Sequence, residues 1–147
     1  MTFARRIVAA LAVSTLVAAC NRETPTSPTE TTTPTTTTVE PTVTEDFNGT
    51  LAVGGFSFYS FTVEQNGIVR ITLISVGGAN VPRTVWLGVG IGTPAGEDCV
   101  TTTSTNTQAG SDAQVTGTFA PGIYCAKVYD IGNLLVPATF SVSIAHP

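Results

Sequence analysis

Catalysis by a hydrolase triad needs a base within reach of a nucleophile, and this chain supplies a single histidine, His146. No G-x-S-x-G stretch accompanies it, so nothing here encodes a nucleophile with its base. His146 is expected to be a strand-end residue with no role in turnover. The run Gly88-Val89-Gly90-Ile91-Gly92 is glycine-rich, but it sits inside a strand pattern and opens no helix, so it is no phosphate cradle. The neighbouring acids Glu45-Asp46 and Glu97-Asp98 would point to opposite faces of an extended chain, so neither makes an acid/base pair. Asp98, Asp112 and Asp130 lie near predicted turns, where oxygen ligands suit calcium. The D-x-D-x-D spacing of a calcium loop is absent. No cofactor is therefore expected, with calcium as the lesser alternative, and the chain is read as a non-enzyme.

The cysteines say more. Cys20 ends an apolar run, residues 7–19, that follows Arg5-Arg6 and closes with Val17-Ala18-Ala19. A charged start, an apolar middle and small residues before a cut site make a secretory signal peptide. The run is too short to span a bilayer, which takes about 20 apolar residues. The closing Leu16-Val17-Ala18-Ala19-Cys20 resembles the lipobox of bacterial lipoproteins. That resemblance implies removal of residues 1–19 and a lipid on the Cys20 sulfur, giving anchorage through acyl chains. Asn21 stands where an inner-membrane retention signal would typically place Asp. The resemblance thus implies an exported protein held to the cell envelope, at the outer membrane of a Gram-negative cell.

With Cys20 lipidated, Cys99 and Cys125 remain as one pair, 26 positions apart. Export puts them in an oxidising compartment. A redox pair usually sits as C-x-x-C, and a metal site would need further ligands. The expected outcome is a structural disulfide that closes a Thr- and Ser-rich loop over residues 100–112.

Residues 20–45 are Thr-rich, with Pro25, Pro28, Pro34 and Pro41, and only Val39 and Val43 are aliphatic. Such a stretch cannot bury enough apolar surface to offset its chain entropy, so it is read as a disordered, semi-stiff tether. The precursor carries a net charge of −4. Without Arg5 and Arg6 it has 4 basic residues against 10 acidic ones. No basic patch exists, which argues against nucleic acid as a partner. The expected contacts are the membrane through the lipid alone, and envelope proteins or polysaccharide through the domain.

Residues 46–147 form that domain, enough for one core. Apolar residues alternate in Tyr59-Phe61-Val63, Val69-Ile71-Leu73, Val85-Leu87-Val89-Ile91, Tyr124-Ala126-Val128 and Phe140-Val142-Ile144, with a shorter run over residues 115–119. This is the strand period, and dense Gly, Pro and Asn punctuation separates the runs. Asn66-Gly67 between two runs predicts a type I′ hairpin. Nothing shows a helical period, so the fold class is all-β, an antiparallel sandwich or barrel. Trp86 is out of phase with Val85 and Leu87, on the side of Gly88, Gly90 and Gly92. One Trp beside a glycine column predicts a shallow groove with an aromatic wall. Tyr129, on the Lys127 side of its run, joins these as a candidate ligand-binding residue. Sugar rings stack on such aromatics, so a carbohydrate-binding module is the alternative to a purely structural or protein-binding one.

Several stretches then carry a family resemblance. Gly49-Thr50-Leu51, Tyr59-Ser60-Phe61-Thr62-Val63, residues 67–73, Gly117-Thr118-Phe119-Ala120-Pro121-Gly122-Ile123-Tyr124 and Phe140-Ser141-Val142-Ser143-Ile144 resemble the bacterial pre-peptidase C-terminal domain family. The resemblance spans nearly all of residues 46–147 and implies a single jelly-roll-like β-sandwich of the kind used as an accessory module on secreted enzymes.

Overall fold

A computed structural model describes residues 37–147. Cys20, the signal segment 1–19 and the tether as far as residue 36 lie outside the described residues. Eight strands are present among those described: β1 (Val43–Leu51), β2 (Phe56–Val63), β3 (Gly67–Gly77), β4 (Leu87–Ala95), β5 (Asp98–Thr107), β6 (Val115–Phe119), β7 (Gly122–Tyr129) and β8 (Ala138–His146). They form two four-stranded antiparallel sheets with orders β1-β8-β3-β6 and β2-β7-β4-β5. Strands from opposite ends of the chain pair, and consecutive strands change sheet except at the β4–β5 hairpin, the order of a jelly roll.

The alternation explains the layering. Phe61 and Val63 of β2, Leu87, Val89 and Ile91 of β4, and Ala126 and Val128 of β7 are buried from one sheet. Leu51, Val69, Ile71, Leu73, Phe140, Val142 and Ile144 meet them from the other. Each lies two residues from the next, so one face of every strand is apolar and the two apolar faces close on each other. Phe47 bridges the layers, stacking on Tyr59 at 5.6 Å and meeting Phe140 edge-on at 5.2 Å.

Four expectations change. The loop predicted over residues 100–112 is largely β5. Its Thr-rich sequence lacks apolar alternation because β5 is an edge strand, and Thr suits an extended backbone without being buried. The sandwich includes residues before 46: β1 begins at Val43, and Val39 forms a parallel bridge with Gly67. Asn48-Gly49, one of the Asn-Gly pairs that the punctuation predicts as a turn, lies mid-strand in β1, where the Phe140 ring fills the space beside Gly49. Asn66-Gly67 does not form a type I′ hairpin. Neither residue has positive φ, and β2 and β3 belong to different sheets. Gly67 is small because the Val39 carbonyl and the Pro147 ring occupy the space of a Cβ.

Candidate functional site

The outer face of the β2-β7-β4-β5 sheet is built in rows by its register. Phe56 pairs with Tyr129, and Tyr129 with Gly88, which pairs with Asn106. The next row is Phe58, Lys127, Gly90 and Ser104. The third brings Cys125 beside Gly92. The sequence-predicted residues Gly88, Gly90 and Tyr129 therefore share one face, and Trp86 precedes Gly88 on the same phase, half exposed at 50%.

The glycine column is not an open groove. A Cβ at Gly88 would fall inside the Tyr129 ring, and one at Gly90 would press on Thr101 and Ser104 of β5. At Gly92 it would strike the Val100 carbonyl, where the β4–β5 register shifts between Ile91 and Gly92. Bulge and glycines together let β5 curl over the outer face. A cleft of about 420 Å³ opens beside the filled column. Phe56 and Gly54-Gly55 form one wall and Thr101 the other, over Lys127 and Tyr129.

Hydrogen bonds set the rim. Asp130, at the end of β7, accepts from the backbone N–H groups of Gly132, Asn133 and Leu134 through Oδ1 and from Gly54 through Oδ2 at 2.8 Å. One carboxylate thus ties the β1–β2 turn to the β7–β8 loop. Burial pushes its pKa up, but the four N–H donors outweigh that and hold it below the usual carboxylate range. Asn133 Nδ2 donates to the Trp86 carbonyl, fixing the approach to β4. Lys127 Nζ donates to Asp98 Oδ1 at 2.6 Å and lies 4.1 Å from the centre of the Phe56 ring. The Lys127 hydrogen bond, with that from Cys99 N–H, lowers the Asp98 pKa. Beside this pair the Cys99–Cys125 disulfide joins β5 to β7, with the Cα atoms 6.0 Å apart.

The acids considered for calcium do not meet. Asp98 faces an ammonium, Asp130 is enclosed by N–H donors, and Asp112 is exposed in the loop before β6. Among the described residues no three His, Cys, Asp or Glu side chains converge on a metal position.

Sequence reasoning missed a second cluster. His146 is buried, with Nε2 2.9 Å from Glu45 Oε1 and Nδ1 3.3 Å from the Pro147 carbonyl oxygen. Tyr59 donates its hydroxyl proton to Glu45 Oε2 at 2.6 Å. Glu45 of β1 thus binds β8 within its own sheet and β2 across the sandwich. Its sequence signal is Glu45 standing two residues before Phe47 on the inward phase, at the last position of the predicted tether. Both histidine nitrogens face oxygens, and the cluster presents no free nucleophile.

No family model and no curated protein matches the chain. Among solved structures it is similar to the crystal structure of Aeromonas hydrophila PliG, a periplasmic lysozyme inhibitor of g-type lysozyme, at 14% identity and a TM-score of 0.46, over 69% of this chain and 84% of that one.

Proposed function

We propose that this protein is a non-catalytic, lipid-anchored envelope module that binds polysaccharide in the cleft on the outer face of the β2-β7-β4-β5 sheet. The observation that carries this reading is the cleft itself. It is open to solvent and sets the half-exposed Phe56 beside Tyr129 and Thr101. Its lining is mixed: the Phe56 and Tyr129 rings stand among the polar groups of Thr101, Lys127 and Asp130, and a few placed polar groups beside aromatic surface orient a ligand. An aromatic face beside hydroxyl and amide groups suits a sugar ring, which has one apolar face and a polar rim.

Export is supported by the intramolecular disulfide, which persists in oxidising compartments. Lipidation at Cys20 rests on the lipobox resemblance, and the jelly-roll strand order supports the resemblance to pre-peptidase C-terminal domains at the level of fold. A non-catalytic role is supported by His146, whose ring nitrogens are both engaged.

The test is retention of the full chain, held in mild detergent, on insoluble polysaccharides, with Phe56→Ala and Trp86→Ala alongside. Retention that Phe56→Ala loses while its melting temperature stays near wild type is the expected result. Because Trp86 is half exposed, its truncation should cost about 1 kcal/mol of stability, well short of the 3–5 of a core aromatic. Absence of retention on every polysaccharide would sink the reading. Cys20→Ser should abolish incorporation of labelled fatty acid.

A further inference from the structure

The cleft has a charge character that constrains its ligand, an argument that rests on the polysaccharide reading above. Lys127 is the one cation lining it. Its side chain is only 15% exposed, and its Nζ is engaged by Asp98, by the Cys99 carbonyl oxygen at 3.4 Å and by the Phe56 ring. Asp98, against it, is 49% exposed. Asp130 is the one carboxylate among the residues that line the cleft. The hydrogen bonds described above keep both acids ionised at neutral pH. Asp98 neutralises the Lys127 ammonium from behind the lining, so the Asp130 carboxylate leaves the cleft net anionic.

A sugar carboxylate entering this cleft could reach Nζ only by displacing Asp98. The displaced Asp98 would then stand beside the newcomer as a like charge, an arrangement that costs several kcal/mol at an interface. An uncharged sugar meets the aromatic rings and Thr101 without that penalty. We infer that the cleft takes uncharged polysaccharide and excludes polyuronates, and that Asp98 is the residue that makes the distinction.

The experiment compares retention of the full chain, in mild detergent at low salt, on cellulose, chitin and polygalacturonate. Wild type is expected to bind at least one of the first two at least about tenfold more tightly than polygalacturonate. Asp98→Asn, which releases the Lys127 charge and removes the repelling carboxylate, is expected to gain polygalacturonate retention by a similar factor. Wild-type retention on polygalacturonate equal to or above that on both neutral polymers overturns the inference and leaves the polysaccharide reading standing. So does an Asp98→Asn variant with native circular dichroism that gains nothing on polygalacturonate. Retention on none of the three polymers by either protein overturns both.

Discussion

The Tyr129 ring occupies the space that a side chain at position 88 would need. Gly88 and Tyr129 are register partners on adjacent strands, so the glycine lets an aromatic lie flat on the sheet and face the cleft. Gly88→Ala should therefore push the ring off the sheet and destabilise the domain by about 1–3 kcal/mol, the usual cost of overpacking. Urea denaturation measures it. The same substitution in a Tyr129→Ala background should cost markedly less, since the two residues compete for one volume. An unchanged cost would mean that the backbone at position 88, and not the ring, resists the methyl group.

Asp130 holds two connections with one carboxylate. Asparagine in its place would set an amide nitrogen against either the Gly54 N–H or the three donors of the β7–β8 loop. Loss of charge-assisted bonds on this scale should cost about 1–3 kcal/mol. It should also loosen residues 52–55 and 131–136 ahead of the core. Hydrogen exchange at Gly54, Gly132 and Asn133 would show that order. Uniform acceleration across all strands would mean that Asp130 acts on global stability alone.

Much of this architecture can be read from side-chain period. Val85, Leu87, Val89 and Ile91 announce an inward face, and Trp86, Gly88 and Gly90 an outward one, because a strand allows no other arrangement. The cleft could not be read that way. It depends on β5 reaching over the outer face, and β5 is a Thr-rich edge strand that no apolar pattern marks. Its position follows from a bulge opposite Gly92 and from the disulfide between Cys99 and Cys125, both products of pairing between distant segments. His146 was hidden for a similar reason. Its partner Glu45 is 101 residues away in sequence, and only the pairing of β1 with β8 brings them together.

The disulfide offers a separate test of how the cleft is held. Its two cysteines are 26 residues apart, which on the chain-entropy model corresponds to a stabilisation of about 3.5 kcal/mol. A Cys99→Ser/Cys125→Ser variant should fall short of wild type by roughly that amount in urea. Because the bridge joins β5 to β7 at the edge of the curled sheet, the variant should also lose more polysaccharide retention than an equally destabilised core variant such as Val142→Ala. Equal losses in the two would assign the disulfide to stability alone.

Glu45 gives the domain a pH dependence whose sign is fixed by its contacts. The Tyr59 hydroxyl lowers its pKa most, burial opposes that, and His146 lowers it further by hydrogen bond and charge. Asp98 and Asp130 are lowered as well. In the unfolded chain these groups titrate near roughly 4. Below that pH the unfolded state binds more protons than the folded one, so stability present above it is lost as pH falls through the lower folded values. Tyr59 acts at the other end. Its pKa is raised by the hydrogen bond to Glu45 and by that carboxylate's charge. Its contribution is full below roughly 10 and disappears as pH rises through the higher folded value. The melting temperature should thus fall on acidification below about pH 4. Glu45→Gln should be less stable at neutral pH and show a shallower acid limb, and Tyr59→Phe should flatten the alkaline limb. Melting curves followed by circular dichroism from about pH 2.5 to 11 would measure both. An acid limb of unchanged steepness in Glu45→Gln would shift the dependence onto Asp98 and Asp130.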